Sequence, residues 1–245
     1  MSGKVIAVYS LKGGVGKTTL AVNLAWAAAT LSARRTLLWD LDGQAAATWI
    51  LGHNGGGTKA QASIRREVDA DTLITPTATA RLNLLPADAS LHGLDIEFRE
   101  IDKKKRLAKL AAELARNHDR IIIDCPPGLN DTAEQVLRAA DLVIVPVIPS
   151  PLAQRAFAAV AAHIAADKGL RVPLLPVFAM VDRRRALHRA ALAANPDWPT
   201  IPMASAFERM TEARAPIGAI ASRGSAPVKA IAELWQAVEK KLAMG

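Results

Sequence analysis

The sequence predicts an α/β protein, and three observations carry that prediction. Short apolar runs and Ala-rich helical periods interleave from end to end with no stretch that reads as a linker, so one domain over residues 1–245 is expected. The runs Ile121-Ile122-Ile123 and Leu142-Val143-Ile144-Val145 are continuous and β-branched, the pattern of strands buried on both faces. The chain has 245 residues, 51% hydrophobic and 22% charged, enough to bury a large core.

Val5-Ile6-Ala7-Val8-Tyr9 reads as the first buried strand. Leu20 to about Leu31, with Val22, Leu24, Ala25 and Ala29 at helical spacing, reads as the first helix. Between them lies Lys12-Gly13-Gly14-Val15-Gly16-Lys17-Thr18-Thr19. Glycines let backbone N–H groups approach phosphate oxygens, and a helix start adds partial positive charge. Lys17 can then reach β- and γ-phosphates, and the Thr18 hydroxyl can ligate Mg²⁺. Strand, glycine loop and Gly-Lys-Thr opening a helix therefore point to a nucleoside triphosphate. The usual pattern opens with glycine where this chain has Leu11, and a second lysine, Lys12, follows. This departure resembles the deviant Walker A motif of the ParA/MinD family, whose extra lysine reaches across a dimer to the partner's nucleotide.

Thr36-Leu37-Leu38-Trp39-Asp40 is the next strand, followed by Leu41-Asp42-Gly43-Gln44 and an Ala-rich helix to about Leu51. A strand ending in Asp-x-Asp puts two carboxylates at the carboxyl edge of a sheet, where open α/β sheets bind ligands. The stretch is similar to the family's second motif, in which proline generally stands at the position of Gly43, so a more flexible loop is expected. The resemblance implies that Asp40 supports Mg²⁺ through water and that Asp42 orients or deprotonates the attacking water.

Gly52 to about Thr58 reads as a surface loop, Ala60 to Val68 as a short helix and Arg81 to Pro86 as a strand. Ile101 to about Arg116 is expected to be a helix, with Leu107, Leu110 and Leu114 on one face. Its run Lys103-Lys104-Lys105-Arg106 suits a solvated face or a DNA contact. Asp119 to Asp124 is a buried strand with one carboxylate at its tip, so Asp124 is expected to hold Mg²⁺ through water. The Asp-Cys-Pro-Pro ending again resembles the family, and Cys125 reads as buried packing. Asn130 and Ser150 are expected N-caps. Asp141 to Ile148, Val172 to Met180 and Thr200 to Pro202 complete the strands, the second of them irregular because of Pro173 and Pro176. The resemblance places adenine contacts in the final loops, at Asp182 and Pro202. The last helix, from about Pro227 to Ala243, has Val228, Ile231, Trp235, Val238 and Leu242 on one stripe. Glu233 and Glu239 dilute its basic residues, so packing on the core is favoured over lying on a membrane.

Lys+Arg 31 against Asp+Glu 23 gives a net charge of +8 and a pI near 9.9, which permits polyanion binding without choosing the polyanion. Arg184, Arg185, Arg189, Arg209, Arg214 and Arg223, with His188 among them, are the candidate DNA surface. The single cysteine excludes an internal disulfide or a cysteine-held cluster within one chain. No apolar run approaches the roughly 18 residues of a spanning helix, and no charged-then-apolar leader is evident, so a cytoplasmic setting is expected.

Three motifs in the family's order extend the resemblance over nearly the whole chain. It implies a doubly wound, mostly parallel sheet with helices on both faces. It also implies a short ParA-type ATPase without an N-terminal helix-turn-helix extension, using ATP and Mg²⁺ and forming an ATP-dependent homodimer. Such a protein would bind DNA nonspecifically, associate with the nucleoid when ATP-bound, and position cargo through a ParB-like or adaptor protein that stimulates hydrolysis. A MinD-like membrane switch and a metabolic P-loop enzyme remain the alternative classes.

Overall fold

The computed structural model describes residues 3–55, 57–101, 105–167 and 169–244, with backbone alone at 97 and 99–101. Its strands are β1 (Lys4–Val8), β2 (Thr36–Asp40), β3 (Thr75–Pro76), β4 (Leu82–Leu85), β5 (Arg120–Asp124), β6 (Leu142–Val147), β7 (Leu174–Val181) and β8 (Thr200–Pro202). They form one sheet in the order β3-β4-β2-β5-β1-β6-β7-β8, and every pairing is parallel except that of β3 with β4. Parallel neighbours need crossovers, and here helices supply them on both faces.

One face carries α1 (Lys17–Leu31), α2 (Ala46–Ile50), α9 (Ser205–Ala213), α10 (Ile217–Ile220) and α11 (Ala226–Ala243). The other carries α3 (Ala60–Arg65), α4 (Leu94–Ile101), α5 (Arg106–Leu114), α6 (Asp131–Ala139), α7 (Pro151–Ala166) and α8 (Ala186–Ala194). Alternate strand residues divide between the two cores. Ile6, Val8, Leu38, Ile122 and Ile144 meet the first set of helices, while Ala7, Leu37, Ile121, Ile123 and Val145 meet the second. This two-sided burial is why the strands read as unbroken apolar runs.

The expected caps form. Asn130 Oδ1 accepts from the Ala133 N–H at 3.0 Å, and Ser150 Oγ from the Ala153 N–H at 3.3 Å. The stripe of α11 is consumed by packing: Val228, Ile231, Trp235 and Val238 are buried, and the Trp235 indole donates to Ser32 Oγ at 2.7 Å. Each large side chain so buried contributes about 1.5–3 kcal/mol. Among the described residues no helix is long and apolar enough to cross a membrane.

Several boundaries differ from expectation. The helix expected from Ile101 to Arg116 is α5, which starts at Arg106 after Lys105 at φ of −126°, while α4 is not among the expected elements; Lys103 and Lys104 lie outside the described residues. α3 stops at Arg65 because Arg66 turns left-handed, with φ of 67°. β7 runs to Val181, and its pairing with β8 shifts register between Phe178 and Val181, around Met180 at φ of 55°. Pro176 is tolerated because β8 pairs only from Phe178 onward, leaving that flank of β7 unpaired beside the proline.

Candidate active site

The register brings the chemistry together. Val8 and Asp40 both lie opposite Asp124, so β1, β2 and β5 end level, and the loops after them share one edge. The loop after β1 bends through Gly14 at φ of 71° and Gly16 at φ of 89°, a conformation that L side chains rarely adopt. A side chain added at Gly13 or Gly14 would meet open space, so the loop forms an accessible cradle rather than a packed turn. Gly16 leads straight into α1 with no side-chain cap, leaving the first amides of the helix for an anion. Val15 is buried and anchors the loop. Lys17 is largely buried and curls back, its ammonium donating to the Lys12 carbonyl at 3.2 Å. The Lys12 side chain points outward, and its ammonium has no partner among the described residues.

Asp40 and Asp124 are both fully buried. Asp40 is well held: Oδ2 accepts from the Thr48 N–H at 2.8 Å and the Thr48 hydroxyl at 2.7 Å, and Oδ1 from the Asp42 N–H at 3.1 Å. Burial nevertheless raises its pKa, against those hydrogen bonds. Asp124 is different, because neither of its oxygens has a hydrogen-bond partner. Burial first, and the Asp40 charge second, push its pKa well up, while the neighbouring Thr18 hydroxyl and Lys17 favour its ionised form. A buried carboxylate beside a second carboxylate, with a hydroxyl alongside, is a hard-oxygen donor set. Thr18, Asp40 and Asp124 therefore fit Mg²⁺, directly or through water. Asp42 is half-buried on the next turn, its Oδ1 accepting from the Gln44 N–H at 3.0 Å. Cys125 is buried, and burial pushes its thiol up.

A cavity of about 120 Å³ adjoins the loop, lined by Gly16, Thr19, Met180, Pro202, Phe207 and Glu208 among others. Pro202 and Thr19 thus line a cavity beside the phosphate loop. Asp182 does not line this cavity; Arg184 grips its carboxylate through two bonds of 2.9 and 3.0 Å and holds its pKa down at about 2. The sequence did not single out Met180, Phe207 and Glu208 as lining this cavity. The turn at Met180 has no sequence signature, and the last two lie on α9, which carries no strong start signal.

The candidate DNA arginines are divided between helices that pack on opposite faces of the sheet. Arg184, Arg185 and Arg189 sit at the start of α8, against one sheet face, and Arg209 and Arg214 at α9, against the other. Arg223 is exposed in the turn before α11. Arg214 is committed internally: it stacks 4.0 Å over the Trp49 ring and donates to the carbonyls of Trp49 and His53 at 3.1 and 2.9 Å. His188 is buried, its Nδ1 accepting from the Asp182 N–H at 3.0 Å, and so leaves the basic surface.

A glycine cradle at a helix start and acidic strand ends in register define the class: this is a P-loop nucleotide-binding protein. A family model described as an AAA domain matches residues 3–168. The chain is 38% identical over 148 residues to the sporulation initiation inhibitor protein Soj of Bacillus subtilis, covering 59% of this chain and 58% of Soj. It is 32% identical over 195 residues to the chromosome partitioning protein ParA of Caulobacter vibrioides, covering 75% of this chain and 72% of that protein. Among solved structures, cobyrinic acid a,c-diamide synthase from Mycobacterium smegmatis with bound ADP and magnesium aligns with a TM-score of 0.79 at 28% identity, over 97% of this chain and 94% of that one. The chain belongs to the ParA/MinD-type family of P-loop ATPases. It spans little more than half the length of Soj.

Proposed function

We propose that residues 1–245 act as one domain that hydrolyses ATP, dimerises on ATP, and binds DNA without sequence preference in the cytoplasm. A ParB-like or cargo-adaptor protein would stimulate hydrolysis and release, so that a plasmid, chromosome or other cargo is segregated or positioned. The observation that carries this reading is Lys12. Lys17 already lies inside its own loop, whereas the Lys12 ammonium points outward without a partner among the described residues. A second cation in that attitude suits delivery to another protomer's phosphates, as an arginine finger is delivered in trans.

The chemistry follows from position. The amides of Gly13 to Thr19 and the Lys17 ammonium hold the phosphates, and Asp42 orients a water toward the terminal phosphoryl. Bound by Thr18, Asp40 and Asp124, Mg²⁺ would supply charge neutralisation at the phosphate oxygens. Thr19, Pro202, Phe207 and Glu208 would enclose the nucleoside. A membrane-switch reading loses support because the apolar stripe of α11 is buried. The metabolic reading draws on the synthase neighbour.

Co-sedimentation with plasmid DNA and with anionic liposomes, each in ADP and in ATP with Mg²⁺, separates the three. Pelleting with DNA in ATP alone is the expected result. Equal DNA binding in ADP, or pelleting only with liposomes, overturns the proposal.

A further inference from the structure

The turn that carries Asp42 touches an imidazole. The Asp42 carbonyl accepts from the Ala45 N–H at 2.8 Å, closing a four-residue turn with Gly43 in its second position. Proline is favoured there because its ring presets φ, and glycine gives up that restraint. The Gly43 φ lies outside the left-handed range, so the backbone does not call for glycine. Space does. A Cβ at Gly43 would lie 2.6 Å from Nδ1 and 2.8 Å from Cε1 of His92. β4 pairs with β2, which brings the loop after β4, and His92 with it, beside the loop after β2. The His92 side chain is otherwise exposed, and its ring has no hydrogen bond or ion pair among the described residues. The Gly43 N–H likewise donates to nothing among them, so proline's missing donor would cost no bond there.

We propose that His92 is a positioning residue whose ring, packed on Gly43, restrains the Asp42 turn from outside, in place of a restraint within the turn. Its consequence for rate rests on the reading of Asp42 as the group that orients water. A backbone restraint of this kind is worth about 0.4–1 kcal/mol, which converts to about 2–5-fold in a rate or an equilibrium.

The test compares His92→Ala, His92→Phe, Gly43→Pro and the double variant His92→Ala plus Gly43→Pro. Two quantities are measured: steady-state ATP hydrolysis, and amide hydrogen exchange of the peptide spanning residues 41–48. His92→Ala should lower kcat about 2–5-fold with KM for ATP unchanged, and speed exchange by a similar factor. His92→Phe should behave as wild type, because a flat ring suffices. Gly43→Pro alone should fall below His92→Ala, since the imidazole occupies the space of its ring, and the double variant should recover both readouts. Wild-type kcat and exchange in His92→Ala, loss in His92→Phe, or a double variant no better than the worse single overturns the inference. If the wild type hydrolyses no ATP, the hydrolysis reading fails by itself, and the exchange data still decide whether His92 restrains the turn.

Discussion

Replacing Asp124 with asparagine should make the nucleotide-free protein more stable while removing its response to Mg²⁺ and ATP. The carboxylate is fully buried, both oxygens lack a hydrogen bond, and Asp40 lies opposite it in the sheet. A buried polar group without a partner costs about 1–3 kcal/mol, and more when charged. Asparagine has the same shape and no charge, and its amide can donate to Asp40. The gain is therefore expected at about 1–3 kcal/mol near neutral pH, or about 2–12 °C in Tm for a chain of this size. The sign of the pH effect follows from the raised pKa of Asp124. An acid whose folded pKa is raised contributes stability below its unfolded value, about 3.9, and that contribution is lost as pH rises through the folded value. Wild type should thus lose Tm from an acidic to an alkaline pH, and Asp124→Asn should lose less. With ligand at about 100 times Kd, wild type should gain about 2.7 kcal/mol, and the variant far less. Thermal unfolding at both pH values, with and without Mg²⁺ and ATP, measures all of this. A variant less stable than wild type at the higher pH without ligand would refute the premise that burial and Asp40 outweigh the help that Thr18 and Lys17 give the Asp124 carboxylate.

Lys17→Ala should abolish productive nucleotide binding, since that ammonium is the cation inside the loop; fluorescent-ATP titration with wild-type affinity would contradict this. Lys12→Ala and Asp42→Ala should each lose most hydrolysis, by about 10²-fold or more. Mixing them should restore activity if Lys12 acts across the dimer, and no recovery at any ratio would place Lys12 in its own site. Arg185→Glu plus Arg189→Glu should lower the log K against log salt slope for DNA by about 0.9 per lost phosphate contact, measured on plasmid-length DNA with ATP. Arg214→Ala should leave that slope unchanged yet lower Tm, because it removes the stack on Trp49, worth about 0.5–1 kcal/mol, and the hydrogen bonds to the end of α2.

The phosphate loop and the strand-end acids were legible because their chemistry demands particular residue types within a few positions. The strands were legible because two-sided burial removes polar residues from them. What escaped was decided by distant parts of the chain. Whether Arg184 and Arg209 share a surface depends on the face to which each helix crosses, and α8 and α9 cross to opposite faces. His188 reads as basic surface until the Asp182 amide turns it inward. Gly43 reads as loop flexibility until His92, far along the chain, is found against it. The start of α5 at Arg106 escaped because its charged lead-in carries no capping residue, Lys105 making no side-chain cap.

Both margins of the sheet end in proline. β3 is the two residues Thr75–Pro76, and β8 the three residues Thr200–Pro202. A strand recruited from another molecule needs a row of free N–H and C=O groups, and margins this short, each missing a donor, offer almost none. Growth by adding strand to strand, the route to amyloid-like ribbons, is therefore disfavoured at these two short strands. Loops and helices are left as the easier surfaces for assembly, where contacts can be made and released within a working cycle.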